Sequence, residues 1–322
     1  MILINKKINF LLILPLVAFL LLWFLRTTWF GELFWSFFLH ILLIYLFYLV
    51  LVLVFISKKK LSLKNKPIII SVLIINFINL IFQSTLLINF SGPFKNLSPN
   101  DYSLKVMSVN VRFENENFAA INNLIKEENA DVLILIELSS QIYGKIKDTI
   151  NADYPYKSKT SSFYGYNQIF SKFPVIASAD ISASENNIGY LKAEIAAKDK
   201  TYRIYAAHAN PPLTQESFAF RNQYLQTLAR DINQELSGNL IVAGDFNVSP
   251  WSYYYQQFLK DTDFKIHNFS LSKGIILTWY FDPPVLASHL DHIFLGQNIV
   301  DLDFKTRSLE GSDHNALIAT LY

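Results

Sequence analysis

Eight side chains able to bind a cation or move a proton sit where apolar runs stop. Asn110 closes the run Leu104–Asn110, and Glu137 follows Asp131–Ile136 directly. His208 ends Tyr202–His208, while Asp245 and Asn247 follow Leu240–Gly244 two residues apart. Asp291 lies in His289–Leu295, and Asp313-His314 precedes Ala316–Leu321. A carboxylate placed directly after Val-Leu-Ile-Leu-Ile is costly to desolvate unless a cation or a donor compensates it. Acids, amides and histidines in a chain without cysteine suit a hard, oxygen-loving cation such as Mg²⁺ or Mn²⁺. Two histidines beside such a cation suit phosphate, where charge has to be neutralised in the transition state.

The elements that would carry these groups alternate along the chain. Apolar residues at helical spacing (Phe118, Ile121, Leu124, Ile125) predict a helix over Asn117–Asn129. Further helices are predicted over Ser139–Ile150, Gln215–Leu236 and Trp251–Leu259, the last with Ser249 as cap and Pro250 at its first position. Besides the runs above, Asn167–Ser171, Val175–Ile181 and Tyr190–Ala196 read as strands. The pattern is a mixed α/β domain with polar residues gathered at strand ends.

In that order, Asn110, Glu137, His208, Gly244-Asp245-Phe246-Asn247, Asp291 and Ser312-Asp313-His314 resemble the endonuclease/exonuclease/phosphatase superfamily. That group includes DNase I-like nucleases, abasic-site endonucleases, inositol-polyphosphate phosphatases and bacterial sphingomyelinases. The likeness covers about residues 104–322. Thr278-Trp279, the segment Ala207–Pro212 and Arg221-Asn222 look like a membrane-tethered bacterial branch. The resemblance implies a four-layer αββα sandwich of two mixed sheets, and it implies roles. Glu137 would be the principal ligand of Mg²⁺ or Mn²⁺, with Asn110 beside it and Asp313 contributing. Asp245 would orient and deprotonate the attacking water, and Asn247 would hold a phosphate oxygen. His314, kept cationic by Asp291, would contact the phosphoryl group, and His208 would stabilise charge or protonate the leaving oxygen.

Before the catalytic region the chain changes character. Three apolar stretches, Ile8–Leu25, Leu33–Ile56 and Ile68–Phe90, predict three transmembrane helices in a membrane anchor over 1–90. Residues 91–101 read as a linker and 102–322 as the catalytic domain. Lys6 and Lys7 precede the first stretch, and Lys58, Lys59, Lys60, Lys64 and Lys66 separate the second from the third. The positive-inside bias then places both segments in the cytoplasm and the catalytic domain outside it, in a periplasmic or extracellular location. The short loop Arg26–Glu32 carries one charge of each sign. Asn76, Asn79 and Gln83 share one face of the third stretch and read, like His40, as packing residues.

Of 28 Lys and Arg, eight precede residue 91, against one of 26 acids. The remaining 20 basic and 25 acidic residues give the rest of the chain a net charge near −5. This excludes a global basic footprint for nucleic acid. The expected substrate is a phosphate ester, either nucleic acid or a phospholipid headgroup. A silent membrane-anchored binding or sensory domain is the alternative. His267, His289 and His292 read as structural, with His292 turned away from Asp291 by strand alternation. Arg221 reads as an ion-pair partner on a helix, and Tyr253-Tyr254-Tyr255 as packing residues. Asn247-Val248-Ser249 matches a glycosylation sequon formally, but Pro250 disfavours its use.

Overall fold

The computed structural model describes residues 17–57, 71, 74, 103–159, 167–183, 188–268, 276–281, 286–299 and 302–322. Two compact units divide the chain: Met1–Phe90 with Trp251–Tyr253, and Ser91–Pro250 with Tyr254–Tyr322.

In the first unit, residues 17–24 are helical, followed by α1 (Trp29–Ser36) and α2 (Phe38–Ser57). The second apolar stretch is therefore not one straight helix, because α1 and α2 meet at a bend of 71°. Three local features break it. Thr28 caps α1 by accepting from the Gly31 N–H, so the helix starts inside the expected Arg26–Glu32 loop. The Ser36 hydroxyl bonds back to the Glu32 carbonyl at 3.0 Å, a contact that bends helices. Phe37 then leaves helical geometry at φ −110°, ψ 29°. Among the described residues no single helix is long and apolar enough to cross a membrane, although the bent pair passes by length and composition. The first half of the expected first span, the linker, and all of the expected third span but residues 71 and 74, its amides included, lie outside the described residues.

Among the described residues, the second unit holds two six-stranded sheets. The first contains β1 (Leu104–Asn110), β2 (Val132–Ile136), β3 (Tyr156–Lys157), β4 (Gln168–Ser171), β13 (Leu302–Ser308) and β14 (Asn315–Leu321). Its order is β13-β14-β1-β2-β4-β3. The second contains β5 (Val175–Ser182), β6 (Gly189–Ala197), β7 (Lys200–His208), β8 (Leu240–Asp245), β9 (Ile266–Asn268) and β12 (Asp291–Gly296). Its order is β5-β6-β7-β8-β12-β9. A short pair, β10 (Trp279–Tyr280) with β11 (Ala287–Ser288), stands apart.

Each sheet has one parallel pair at its centre, β1 with β2 and β7 with β8. A parallel pair needs a crossover, and each has a helix for it. Helix α3 (Phe118–Glu128) joins β1 to β2, and α5 (Gln215–Gln234) joins β7 to β8. Helices α4 (Ser140–Asp153) and α6 (Tyr253–Asp261) follow β2 and β8. Ser139 and Thr214 cap α4 and α5 through their side-chain oxygens.

Strand parity assigns the layers. Leu104, Val106, Val132 and Ile134 of the first sheet share one core with Ile204, Ala206, Ile241, Ala243 and Ile293 of the second. The opposite parity of the first sheet, Met107, Val109, Leu133 and Leu135, packs on Ile121 and Leu124 of α3 and on Ile142, Ile146 and Ile150 of α4. On the far face of the second sheet Tyr190 meets Tyr224 of α5, and Phe246 and Phe294 meet Phe258 of α6. The order helix, sheet, sheet, helix is the four-layer α/β sandwich. Helix α6 starts at Tyr253 rather than at Trp251, so Pro250 precedes it instead of occupying its first position.

Candidate active site

The same parity gathers the polar groups. Asn110 continues the inward series Leu104, Val106, Ser108, and His208 continues Ile204, Ala206. Asp245 continues Ile241, Ala243, and Asp291 precedes Ile293, Leu295 in the same phase. All four therefore face the space between the sheets. Three of them, Asn110, His208 and Asp245, stand at carboxyl ends of the parallel strands. Pairing registers fix the rest, with Asp245 opposite both His208 and Asp291.

The sheets meet through these groups. The Asn110 amide Nδ2 donates to Glu137 Oε1 at 2.9 Å, and to Asp245 Oδ2 of the other sheet at 3.3 Å. His208 Nε2 lies 3.5 Å from Glu137 Oε1 and 4.0 Å from Asp245 Oδ2. His314 Nδ1 is 2.8 Å from Asp291 Oδ2, and its Nε2 is 3.7 Å from Asp245 Oδ2. Asn247 folds back beneath Asp245: its N–H donates to Asp245 Oδ1 and its Nδ2 to the Ala209 carbonyl, both at 2.9 Å.

Left-handed backbone occurs at the site. Glu137 and Asn247 adopt the left-handed region at φ 60° and 49°, and Arg112 does so at 61°. Such positions are held only where surrounding contacts over-determine them. For Glu137 those contacts are the Phe113 N–H on Oε2 at 2.8 Å and Asn110 on Oε1. Gly244 must be glycine, since at φ 140° a Cβ would stand 1.9 Å from the Ala207 carbonyl oxygen of β7.

Burial and charge set the protonation states. Burial raises the Asp245 carboxyl and the negative Asp291 adds to this, while His314 and His208 oppose it; the result is about 6. For His314 burial works against the charge, but Asp291 and then Asp245 outweigh it and carry the imidazole up to about 10. At neutral pH the His314 ring is thus an imidazolium, held by Asp291 through Nδ1. Asp245, Asp291 and His314 present atoms within 4.8 Å of one another, close enough to share a metal ion. A cationic His314 with its Nδ1 committed to Asp291 makes a poor ligand, whereas Glu137 and Asn110 are free of such a charge and could hold a cation. Glu137 keeps about a quarter of its side chain exposed and shares the Asn110 amide with Asp245. The oxygens and nitrogens available, with no thiol in the chain, suit a hard divalent cation. As an oxygen ligand Asn110 would turn its amide by half a rotation, since Oδ1 here accepts from the Arg112 N–H.

Asp313 stands at the shoulder of the site. Its Oδ2 accepts from the Trp279 indole N–H at 3.0 Å, and its carbonyl accepts from the Tyr280 N–H. The Ser312 hydroxyl donates to the Asn110 carbonyl at 2.8 Å and also accepts from the His314 N–H, tying the end of β1 to the start of β14. Thr278 Oγ1 accepts the N–H groups of both Leu290 and Asp291 at 2.9 Å.

His292 points away from Asp291, as alternation requires. One of its ring nitrogens faces the Val248 carbonyl and the other Asn268, and burial pushes its pKa well down. His289 stacks on it at 4.6 Å, and burial lowers its pKa to about 4. Arg221, expected as an ion-pair partner, donates from Nη1 to the Asn247 carbonyl at 2.9 Å from a fully buried position. Tyr224, unlike Arg221, carries no signal in the sequence, although its hydroxyl accepts the His208 N–H at 2.9 Å. Backbone partners so far away leave no sequence signal.

A family model described as Endonuclease/Exonuclease/phosphatase family matches residues 107–314, more than half of the chain. Solved structures share the fold at low identity. The 3′ phosphatase NExo from Neisseria, bound to a product DNA hairpin, aligns at 19% identity and TM-score 0.57, covering 68% of this chain and 99% of that one. Truncated TDP2 from Caenorhabditis elegans aligns at 18% identity and TM-score 0.56, covering 68% and 97%. Sphingomyelinase C from Streptomyces griseocarneus aligns at 16% identity and TM-score 0.50, covering 69% and 100%. No curated protein matches the chain significantly.

Proposed function

The chain belongs to the Endonuclease/Exonuclease/phosphatase family and is a metal-dependent phosphoric ester hydrolase, and from that premise we propose that it cleaves a phosphodiester or phosphomonoester at a membrane, outside the cytoplasm. The observation that carries the chemistry is the meeting of Asn110, Glu137, His208, Asp245, Asn247, Asp291 and His314 at one end of the two sheets. In the proposed reaction water attacks phosphorus in line with the leaving oxygen. Glu137, with Asn110 and Asp313, would hold Mg²⁺ or Mn²⁺, and the cation would supply charge neutralisation for the phosphoryl group.

Asp245 takes the proton from water. A carboxyl raised to about 6 is a stronger base than an ordinary aspartate yet still ionised at neutral pH. Asn247 offers phosphate an amide hydrogen, since its nitrogen carries two and one goes to Ala209. His314 presents its cationic ring to the phosphoryl oxygens, and Asp291 keeps that charge in place. His208, near both Glu137 and Asp245, stabilises charge at the leaving oxygen or protonates it.

Membrane tethering rests on the three apolar stretches and on the lysines around them. The net negative charge after residue 90 favours a lipid or headgroup ester over nucleic acid, and a tether raises local concentration at a bilayer. Among structural relatives, one carries a DNA product and another is named a sphingomyelinase. The full-length protein should therefore be assayed with Mg²⁺ against EDTA on DNA, RNA, phospholipid and inositol-phosphate substrates. Chelation-sensitive cleavage of phospholipid is the expected result. Cleavage of DNA or RNA alone would reverse the substrate preference, and no cleavage of any ester would favour the silent binding domain.

A further inference from the structure

Helix α5 carries two fully buried polar side chains one turn apart, Arg221 and Tyr224. Each holds the backbone of a different site residue. Arg221 Nη1 donates to the Asn247 carbonyl, and Tyr224 Oη accepts the His208 N–H, both at 2.9 Å. The two loops are also bonded to each other, by Asn247 Nδ2 on the Ala209 carbonyl and by the Ala209 N–H on the Asp245 carbonyl at 3.0 Å. These contacts close a ring that runs from α5 through His208, Ala209 and Asn247 back to α5.

Arg221 is a costly residue to bury. Its guanidinium lies 5.4 Å from the ring centres of both Phe218 and Tyr254, and its Nε donates to Asn222 at 2.8 Å. A planar fork packed beside two rings that meet each other edge to face at 5.2 Å has a fixed direction, which a lysine at this place would lack. The direction is used on a carbonyl whose own residue is in the left-handed region. Tyr224 likewise has a second bond, from its hydroxyl to the Gly189 carbonyl of β6 at 3.5 Å.

We propose that Arg221 and Tyr224 are positioning residues, and that α5 sets the placement of Asn247 and His208 separately through them. The proposal rests on the phosphoesterase reading above. Arg221 acts through Asn247, so removing the Asn247 side chain should remove the reason for Arg221. Tyr224 should stand in the same relation to His208. A residue that only supports the fold would show no such pairing.

The test is a pair of double-mutant cycles on kcat, using full-length protein in detergent, Mg²⁺ and bis(p-nitrophenyl) phosphate. Arg221→Lys should lower kcat roughly tenfold to a hundredfold, the scale of a small misplacement. Tyr224→Phe should lower it roughly three- to tenfold, as expected for one neutral hydrogen bond. In the Asn247→Ala background the Arg221→Lys loss should vanish while the Tyr224→Phe loss persists. In the His208→Ala background the pattern should reverse. Equal losses in every background would overturn the proposal. Hydrogen exchange on the same proteins is read independently of turnover. Arg221→Lys should speed exchange over residues 245–249 and Tyr224→Phe over 207–210, with the strands of the first sheet unchanged. If the wild type shows no hydrolysis that Glu137→Gln abolishes, the phosphoesterase reading fails and exchange alone decides this proposal. Unchanged exchange at both segments would then overturn it.

Discussion

Replacing Asp291 by asparagine keeps the shape of the side chain and removes the charge that faces His314. In the native site burial alone would strip the proton from His314, and Asp291 is the largest of the groups that oppose this, ahead of Asp245. A rise from 6.5 to about 10 corresponds to ~5 kcal/mol of preference for imidazolium over imidazole. Without the Asp291 charge, burial dominates and the ring is neutral at pH 7.5. The cation that would face the phosphoryl oxygens is lost, and a single electrostatic group of this kind contributes about a hundred- to a thousandfold in kcat. The variant should recover as the pH falls, until protonation of Asp245 near 6 takes the base away. The raised pKa also makes a claim on stability. Stabilisation from His314 is complete below about 6.5 and lost as the pH rises through about 10. The wild type should therefore melt lower as the medium becomes alkaline, and Asp291→Asn should flatten that limb. Rates against pH, melting scans and a proton NMR titration of the His314 ring together test this. A wild-type ring that titrates near 6.5, or an unchanged rate profile in Asp291→Asn, would refute the pairing. So would losses that multiply when His314→Ala is added, since a unit should be broken only once.

Asp245→Asn should abolish hydrolysis and yet raise the melting temperature above pH 6. A carboxyl raised from 3.8 to about 6 contributes its stability below about 3.8 and loses it as the pH rises through about 6, an effect of ~3 kcal/mol. A melting temperature that does not rise at pH 8 would contradict the desolvation argument. Gly244→Ala would set a Cβ against the Ala207 carbonyl, and denaturant unfolding should show a loss of roughly 3 kcal/mol or more. A near-neutral result would mean that β7 and β8 tolerate more separation than the register allows. A phosphatase reporter that works only outside the cytoplasm, fused after Tyr322, should be active. An inactive fusion would reverse the proposed orientation.

Much of this architecture was legible in the sequence because long-range burial writes itself into short runs. Leu104–Asn110, Val132–Ile136 and Leu240–Asp245 lie buried almost throughout and read as strands at once. Strand β13 was not singled out, because only Leu302 and Phe304 turn inward while Lys305 and Arg307 pair with Glu128. The two- and three-residue strands β3, β9, β10 and β11 exist only through distant partners. The polar strand ends were legible for the reason they are useful, since a charge directly after a buried run needs an explanation. The backbone contacts of Arg221 and Tyr224 were not, because their partners are 26 and 16 residues away. The break at Phe37 was hidden too, since apolar composition carries no record of a serine bonding back to its own helix.

Divalent-cation binding measured by calorimetry, with hydrolysis rates taken on the same samples, tests the central claim most directly. In the wild type, binding of Mg²⁺ or Mn²⁺ and half-saturation of the rate should coincide, and EDTA should abolish both reversibly. In Glu137→Gln, which keeps the side-chain shape but removes the charge beside Asn110, affinity and rate should fall together by orders of magnitude, with partial recovery at high metal. Hydrolysis that survives EDTA, or a Glu137→Gln protein that binds and turns over like the wild type, would contradict the account.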